Sequence, residues 1–170
     1  MLIAVIAALL AAPTAAGACD NEGDGPAEIS ADEAREAVVC LMNERRRKQG
    51  VRRLRIDERL QSAAQAHSDS MNFDDYFAHT SPAGGSPLGR IRNSGYLAGA
   101  QSWGIAENIR WGVGWQATPT TAVKAWMASP GHRRAMLSRS YRHVGVGVAV
   151  GSPMGGGDDG FIYTADFGYR

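Results

Sequence analysis

The chain has 170 residues, with 18 basic and 17 acidic side chains and a formal net charge of +1 at pH 7. That length is one domain once a leader is removed. Such a domain buries roughly two-thirds of its unfolded surface and can stand without a metal or a dense set of disulfides. The near-neutral balance argues against a polyanion, nucleic acid included, as the partner.

Met1 to Ala12 is an uncharged apolar run, too short for a bilayer span of roughly 20 residues. Pro13 and Thr14 end it, and Ala16-Gly17-Ala18 is a small-residue cleavage site, so residues 1–18 read as a signal peptide. The terminal amine is the one positive group before the apolar run. No second long apolar run follows, which predicts a chain that is not transmembrane after cleavage. The expected location is secreted, and the expected state is a monomer. Cys19 and Cys40 make an even count, which in an exported protein favours a disulfide. Closing a loop of this length contributes about 3 kcal/mol in the chain-entropy model. The alternative is a lipid anchor on Cys19, although lipid-attachment signals usually carry Leu where Ala16 stands.

Residues 19–29 read as a polar N-terminal tether, and the folded domain is expected over 30–170. Ser30-Ala31-Asp32-Glu33 is a capping box opening a helix, with Ala34, Val38, Leu41 and Met42 at helical spacing and an end near Gly50. The run Arg45-Arg46-Arg47-Lys48, with Arg52, Arg53 and Arg55 behind it, reads as a solvated helix end suited to the helix dipole. Asp20, Glu22, Asp24 and Glu28 are available to neutralise it. A second helix begins at Asp57; Leu60, Ala63, Ala64, His67 and Met71 share one face, making His67 a hydrogen-bonded core histidine ahead of a ligand.

Tyr76 to Gly89 is loop-like, and a short helix is expected over Leu88–Asn93, stopped by Gly95. The stretch from Trp103 to Trp115 alternates well enough for a strand. Thr118-Pro119 opens a third main helix, with Thr118 as cap, and Ser129-Pro130 opens another by the same logic. Val144, Val146, Val148 and Val150 alternate with Gly145, Gly147 and Ala149, a small-residue face that lets another backbone approach closely. Phe161, Tyr163, Ala165 and Phe167 alternate again, and the two runs suggest an antiparallel pair across a Gly-rich connection.

Common catalytic signatures are absent: there is no His-Glu-x-x-His, no Gly-x-Ser-x-Gly and no phosphate loop. His79, Glu107 and His132 remain, each beside a residue or element that constrains its backbone. His132 falls in the first turn of a helix, where the dipole disfavours imidazolium and leaves the neutral ring that a metal site or general base requires.

The segments Leu41-Met42-Asn43-Glu44-Arg45, Phe77-Ala78-His79-Thr80-Ser81-Pro82, Ala106-Glu107-Asn108-Ile109 and Trp126-Met127-Ala128-Ser129-Pro130-Gly131-His132-Arg133 resemble, in order, those of the CAP superfamily. This superfamily comprises cysteine-rich secretory, antigen 5 and pathogenesis-related-1 proteins. Val144-Gly145-Val146-Gly147 and Tyr163-Thr164-Ala165-Asp166-Phe167-Gly168 extend the resemblance, which spans roughly residues 36 to 169 and is nearest the bacterial SCP-like branch. It implies an α+β fold, a three-layer α-β-α sandwich with a small, mainly antiparallel sheet between helices. It also implies a cleft of two His and two Glu that in some members binds a divalent metal. His79, Glu107 and His132 match three of those positions; Ser129 stands where many members have Glu, and Ala106 replaces the usual Gly.

Two His and one carboxylate resemble the ligand sets of catalytic zinc enzymes with a position open for water, so zinc or another divalent metal is the expected cofactor. The alternative is a buried network tying loop, strand and helix together. Three functions follow. One is an extracellular module that binds an apolar molecule, a glycan or a protein, with Trp103, Trp111, Trp115, Tyr96 and Tyr141 as contact or core residues. Another is a hydrolase using metal-bound water, or using Ser81 or Ser129 with a His and Glu107. The third is a structural cleft without turnover. His143 is expected to lie at the surface or to serve packing.

Overall fold

The computed structural model describes residues 19–155 and 157–170, so the expected signal peptide lies outside the described residues. Helix α1 spans Ala31–Lys48. Its capping box is formed as expected: Ser30 N donates to Glu33 Oε2 at 2.8 Å, and Glu33 N donates to Ser30 Oγ at 3.2 Å. The basic run at its end is not uniformly solvated. Arg46 is fully buried and donates to the carbonyls of Arg52, Met136, Ser138 and Tyr141 at 2.6 to 3.3 Å. Burial, with Arg142 nearby, lowers its pKa to about 10, so it stays charged at neutral pH. The guanidinium fork reaches several carbonyls at once, which a point charge cannot do. It thereby binds the end of α1 to the chain before the sheet.

The sheet has four strands in the order β1-β3-β4-β2: β1 Arg55–Ile56, β2 Gly104–Val113, β3 His143–Val150 and β4 Gly160–Tyr169. β3–β4 and β2–β4 are antiparallel, whereas β1 pairs with β3 in parallel. Two residues are too few to show a period, which is why β1 has no signature in the sequence. The remaining helices are α2 Glu58–Phe73, α3 Pro87–Asn93, α4 Pro119–Ala128 and α5 Pro130–Leu137, with a 3₁₀ turn at Gly114–Ala117. Thr118 caps α4, its Oγ1 accepting from Thr121 N at 3.3 Å. Ser129 does not repeat this: its hydroxyl makes no capping bond. Pro130, with its fixed φ, starts α5 without one.

Each side of the sheet has its own chemistry. Val144, Val146, Val148, Phe161, Tyr163 and Phe167 pack on Leu41 and Met42 of α1 and on Val123 and Trp126 of α4. The other side of β3 carries no side chains at two positions. A Cβ on Gly145 would lie 2.0 Å from Gln61 N, and one on Gly147 would lie 2.3 Å from Ala64 C. Helix α2 therefore rests directly on the strand backbone. The result is the three-layer α-β-α sandwich, with the sheet between α2 and the α1, α4 and α5 layer.

Residues 20–29, expected as a tether, are folded down as a strap. Cys19 is bridged to Cys40, with their Cα atoms 5.8 Å apart, which leaves Cys19 no thiol for a lipid. Thr120 N donates to Glu22 O at 2.8 Å, and Ile29 is buried in the α1–α4 core. A covalent anchor at one end and a buried side chain at the other override the polar composition. No helix among the described residues is long and apolar enough to cross a membrane.

Gly147→Ala should lower the unfolding free energy by about 3 kcal/mol, because a methyl group there overlaps helix backbone that no rotamer change relieves. Urea denaturation of the variant beside Gly23→Ala, where a Cβ meets nothing within 4 Å, checks this; equal midpoints would show that α2 can lift off the sheet freely.

Candidate functional site

Glu107 lies in the first half of β2 and pairs across the ladder with Asp166 of β4. Residues directly opposite in an antiparallel pair project to the same face, here the glycine face covered by α2. The Glu107 side chain is 2% exposed, and both its oxygens are used: Oε1 meets His79 Nδ1 at 2.7 Å, and Oε2 accepts from Arg90 Nη2 at 2.6 Å. Arg90, on α3, also donates to the carbonyls of His79 at 3.0 Å and Gly85 at 2.7 Å. One guanidinium thus holds the carboxylate and the loop that carries the histidine.

Burial pushes the Glu107 pKa up, but the His79 hydrogen bond and the positive Arg90 outweigh it, and the net direction is down. Glu107 is therefore ionised at neutral pH, so His79 Nδ1 carries the proton and donates it. Nε2 of His79 is then the nitrogen left open, on a side chain 49% exposed. Asp166 behaves in the opposite way. It is fully buried, and neither oxygen has a hydrogen-bond partner. Burial and the Glu107 charge raise its pKa well above that of an ordinary aspartate, so of the facing pair it is the one that holds a proton more readily.

His67 is buried on α2, as its place on the apolar stripe predicts. Its Nδ1 is 3.3 Å from Tyr76 Oη, and its Nε2 is 3.8 Å from Glu107 Oε1, beyond hydrogen-bond range. Burial, partly opposed by the Glu107 charge, depresses its pKa to about 4.

His132 sits in the first turn of α5, its carbonyl accepting from Asn108 Nδ2 at 3.1 Å. Its pKa is lowered, first by burial and then by His79. The neutral ring expected from the helix dipole thus has a tertiary cause as well. Among the described residues no hydrogen bond joins His132 or Ser129 to the His79–Glu107 pair, and Ser81 Oγ is occupied by Gly85 N at 2.9 Å. Of the four expected cleft residues, the fold brings His79 and Glu107 into direct contact. It adds Arg90, His67, Tyr76 and Asp166, of which only His67 gave a sequence signal.

The aromatic residues divide. Tyr96 is buried with its hydroxyl 2.9 Å from His143 Nδ1, so His143 does serve packing; Tyr141 Oη donates to Ile105 O at 2.9 Å. Trp111 packs beside the Met71 and Ile109 cluster, whereas Trp103 and Trp115 are exposed. Among the described residues no three His, Cys, Asp or Glu side chains converge on one point, and each oxygen of Glu107 already accepts a hydrogen bond.

The elements thus build a mainly antiparallel sheet between helical layers, with an exposed histidine on a buried strand glutamate. A family model described as the cysteine-rich secretory protein family (CAP) matches residues 39–167, and the chain belongs to that family. It is 38% identical over 157 residues to the uncharacterized protein YkwD of Bacillus subtilis, covering 92% of this chain and 54% of that one. The chain thus spans about half the length of that relative, and 30% of the B. subtilis membrane protein YlbC, to which it is 34% identical. Among solved structures, an extracellular protein containing an SCP domain from Bacillus anthracis superposes with a TM-score of 0.63 at 25% identity, over 84% of this chain and 44% of that one. An outer surface protein of Borrelia burgdorferi shares the fold, with a TM-score of 0.67 at 23% identity over 84% and 96% of the two chains.

His67 makes stability pH-dependent with a definite sign. A histidine whose folded pKa is depressed contributes fully above its unfolded pKa of about 6.5, and the contribution is lost as pH falls from there towards 4. In that window the unfolded state binds the extra proton, so stability rises with pH. Wild type should lose up to about 3 kcal/mol between pH 7 and 4 from this group, and His67→Gln should show a shallower slope. Urea unfolding at several pH values measures both; parallel slopes would exclude His67 as the titrating group.

Proposed function

We propose that the chain is an extracellular CAP-domain binding module whose cleft recognises a hydroxyl- or amide-bearing ligand, a glycan or an exposed peptide segment, through His79 Nε2. The observation that carries this is the contrast between an exposed imidazole and the buried carboxylate that orients it. Glu107 selects the Nδ1–H tautomer, Arg90 holds Glu107, and a ligand donor meets a ring that loses little freedom on binding. Extracellular location is supported by the Cys19–Cys40 disulfide, which persists in oxidising compartments, and by the B. anthracis neighbour described as extracellular.

A second reading, hydrolysis, draws on the same pair. A histidine oriented by a carboxylate through Nδ1 is the general-base half of a hydrolytic triad, with Nε2 facing the reacting group. Among the described residues no hydroxyl side chain is hydrogen-bonded to His79, so water is the nucleophile this arrangement would activate.

Glycan and peptide arrays probed with wild type and His79→Ala separate the readings, with p-nitrophenyl ester turnover measured in parallel. Binding is expected to weaken about tenfold in His79→Ala, the cost of one good hydrogen bond, with no ester turnover in either protein. Equal array binding by both proteins would remove the cleft from recognition; turnover lost in the variant would establish the hydrolase. Calorimetric titration with Zn²⁺ should show no site that depends on His79 and His132.

A further inference from the structure

We propose that a second site, at the far end of β2 from Glu107, binds an organic ammonium group. The disulfide-pinned strap, the 3₁₀ turn after β2 and the start of β4 enclose a cavity of about 370 Å³. Its aromatic wall is Trp115, 75% exposed. Asp24 and Glu28 of the strap and Asp159 before β4 are the acidic residues of its lining. Gly114 follows Glu107 by seven residues of extended chain, roughly 20 Å, so this site shares no residue with the cleft.

The cavity is built. Trp115 O accepts from Thr118 Oγ1 at 3.2 Å and from Thr121 Oγ1 at 3.3 Å, fixing the backbone under the indole. Gly114 N donates to Asp159 O at 2.8 Å, tying the turn to the β4 side. On the strap, Gly25 N donates to Glu28 Oε2 at 2.8 Å. The disulfide and the bond from Thr120 N to Glu22 O hold that wall against the domain.

The chemistry of the lining selects the ligand. Among the described residues no lysine, arginine or histidine forms an ion pair with Asp24, Glu28 or Asp159, in a chain where Glu107, Asp57 and Glu44 all have one. Three carboxylates without a basic partner make the cavity negative, and the face of an indole attracts a cation through its ring quadrupole. A bare metal ion would use the carboxylates and leave the indole idle. An alkylammonium uses both: its charge faces the carboxylates and its C–H surface lies on the ring. The source is either a free small cation or a lysine side chain presented by another protein.

Calorimetry with the purified, disulfide-intact protein tests this with three probes: choline, Nα-acetyl-lysine amide, and 3,3-dimethylbutan-1-ol, the neutral isostere of choline. A saturable isotherm is expected for at least one cation and none for the alcohol. Trp115→Ala should weaken the cation roughly two- to thirty-fold, the range for an ammonium on an aromatic face. Asp24→Asn with Asp159→Asn should weaken it comparably, and added salt should do so progressively. Thermal melting confirms that the variants fold, since Trp115 is exposed. Preference for choline assigns a free cation, and preference for the lysine amide assigns a protein partner. Three results would each overturn the proposal: no isotherm for either cation at millimolar concentration, equal binding of the neutral alcohol, or Trp115→Ala binding like wild type.

Discussion

The contact between α2 and the backbone of β3 is the constraint from which the site follows. Side chains at 145 and 147 would hold the helix off the sheet; glycines let it lie on the strand. The helix then brings His67 over the sheet beside Glu107 and seals the β2–β4 pair from solvent. Ser68 Oγ, donating to Gly147 O at 3.1 Å and lying 2.9 Å from Thr164 Oγ1, sits at that same contact. Close approach creates the dry environment; the dry environment decides the charges.

Two carboxyl groups facing each other across β2 and β4 cannot both be ionised in such a place. The asymmetry of their surroundings decides which one is. Glu107 has a guanidinium and an imidazole N–H, one on each oxygen, and keeps its charge. Asp166 has no cationic partner on either oxygen, and burial beside the Glu107 charge shifts its pKa upward. The exposed histidine is consequently set in one tautomer by interactions beneath the surface. The same Arg90 that keeps Glu107 ionised engages Gly85 and the His79 carbonyl, so loop position and charge state are coupled through one side chain.

Much of the fold was legible along the chain because its signals are local. The Ser30–Glu33 box, the Thr118-Pro119 start, the apolar stripe carrying His67 and the alternation of Val144 to Val150 each report short-range geometry, and each element stands where its signal put it. The glycine face was legible too, as a surface that something must cover. The failures have a common cause. Arg46, within a run of four basic residues, and the strap, with its polar composition, were judged by chemistry averaged over neighbours, whereas tertiary contacts act on single atoms. β1 is shorter than any period, and the Ser129 hydroxyl makes no capping bond although the helix starts beside it.

The sequence by itself determined the longer elements, the family and the identities of His79 and Glu107, because turn residues, periodicity and ordered motifs are properties of adjacent positions. It also favoured a Cys19–Cys40 disulfide over a lipid on Cys19, and the structure forms that bridge. Tertiary structure alone decided that His79 touches Glu107, that Arg90 from a third element occupies the other oxygen, and that Asp166 lies opposite with its pKa raised. It also decided that the N-terminal strap closes a cavity beside Trp115. Those outcomes depend on which distant residues share a low-dielectric space, and ionisation there is set by the sum of neighbours in three dimensions, which no linear pattern encodes.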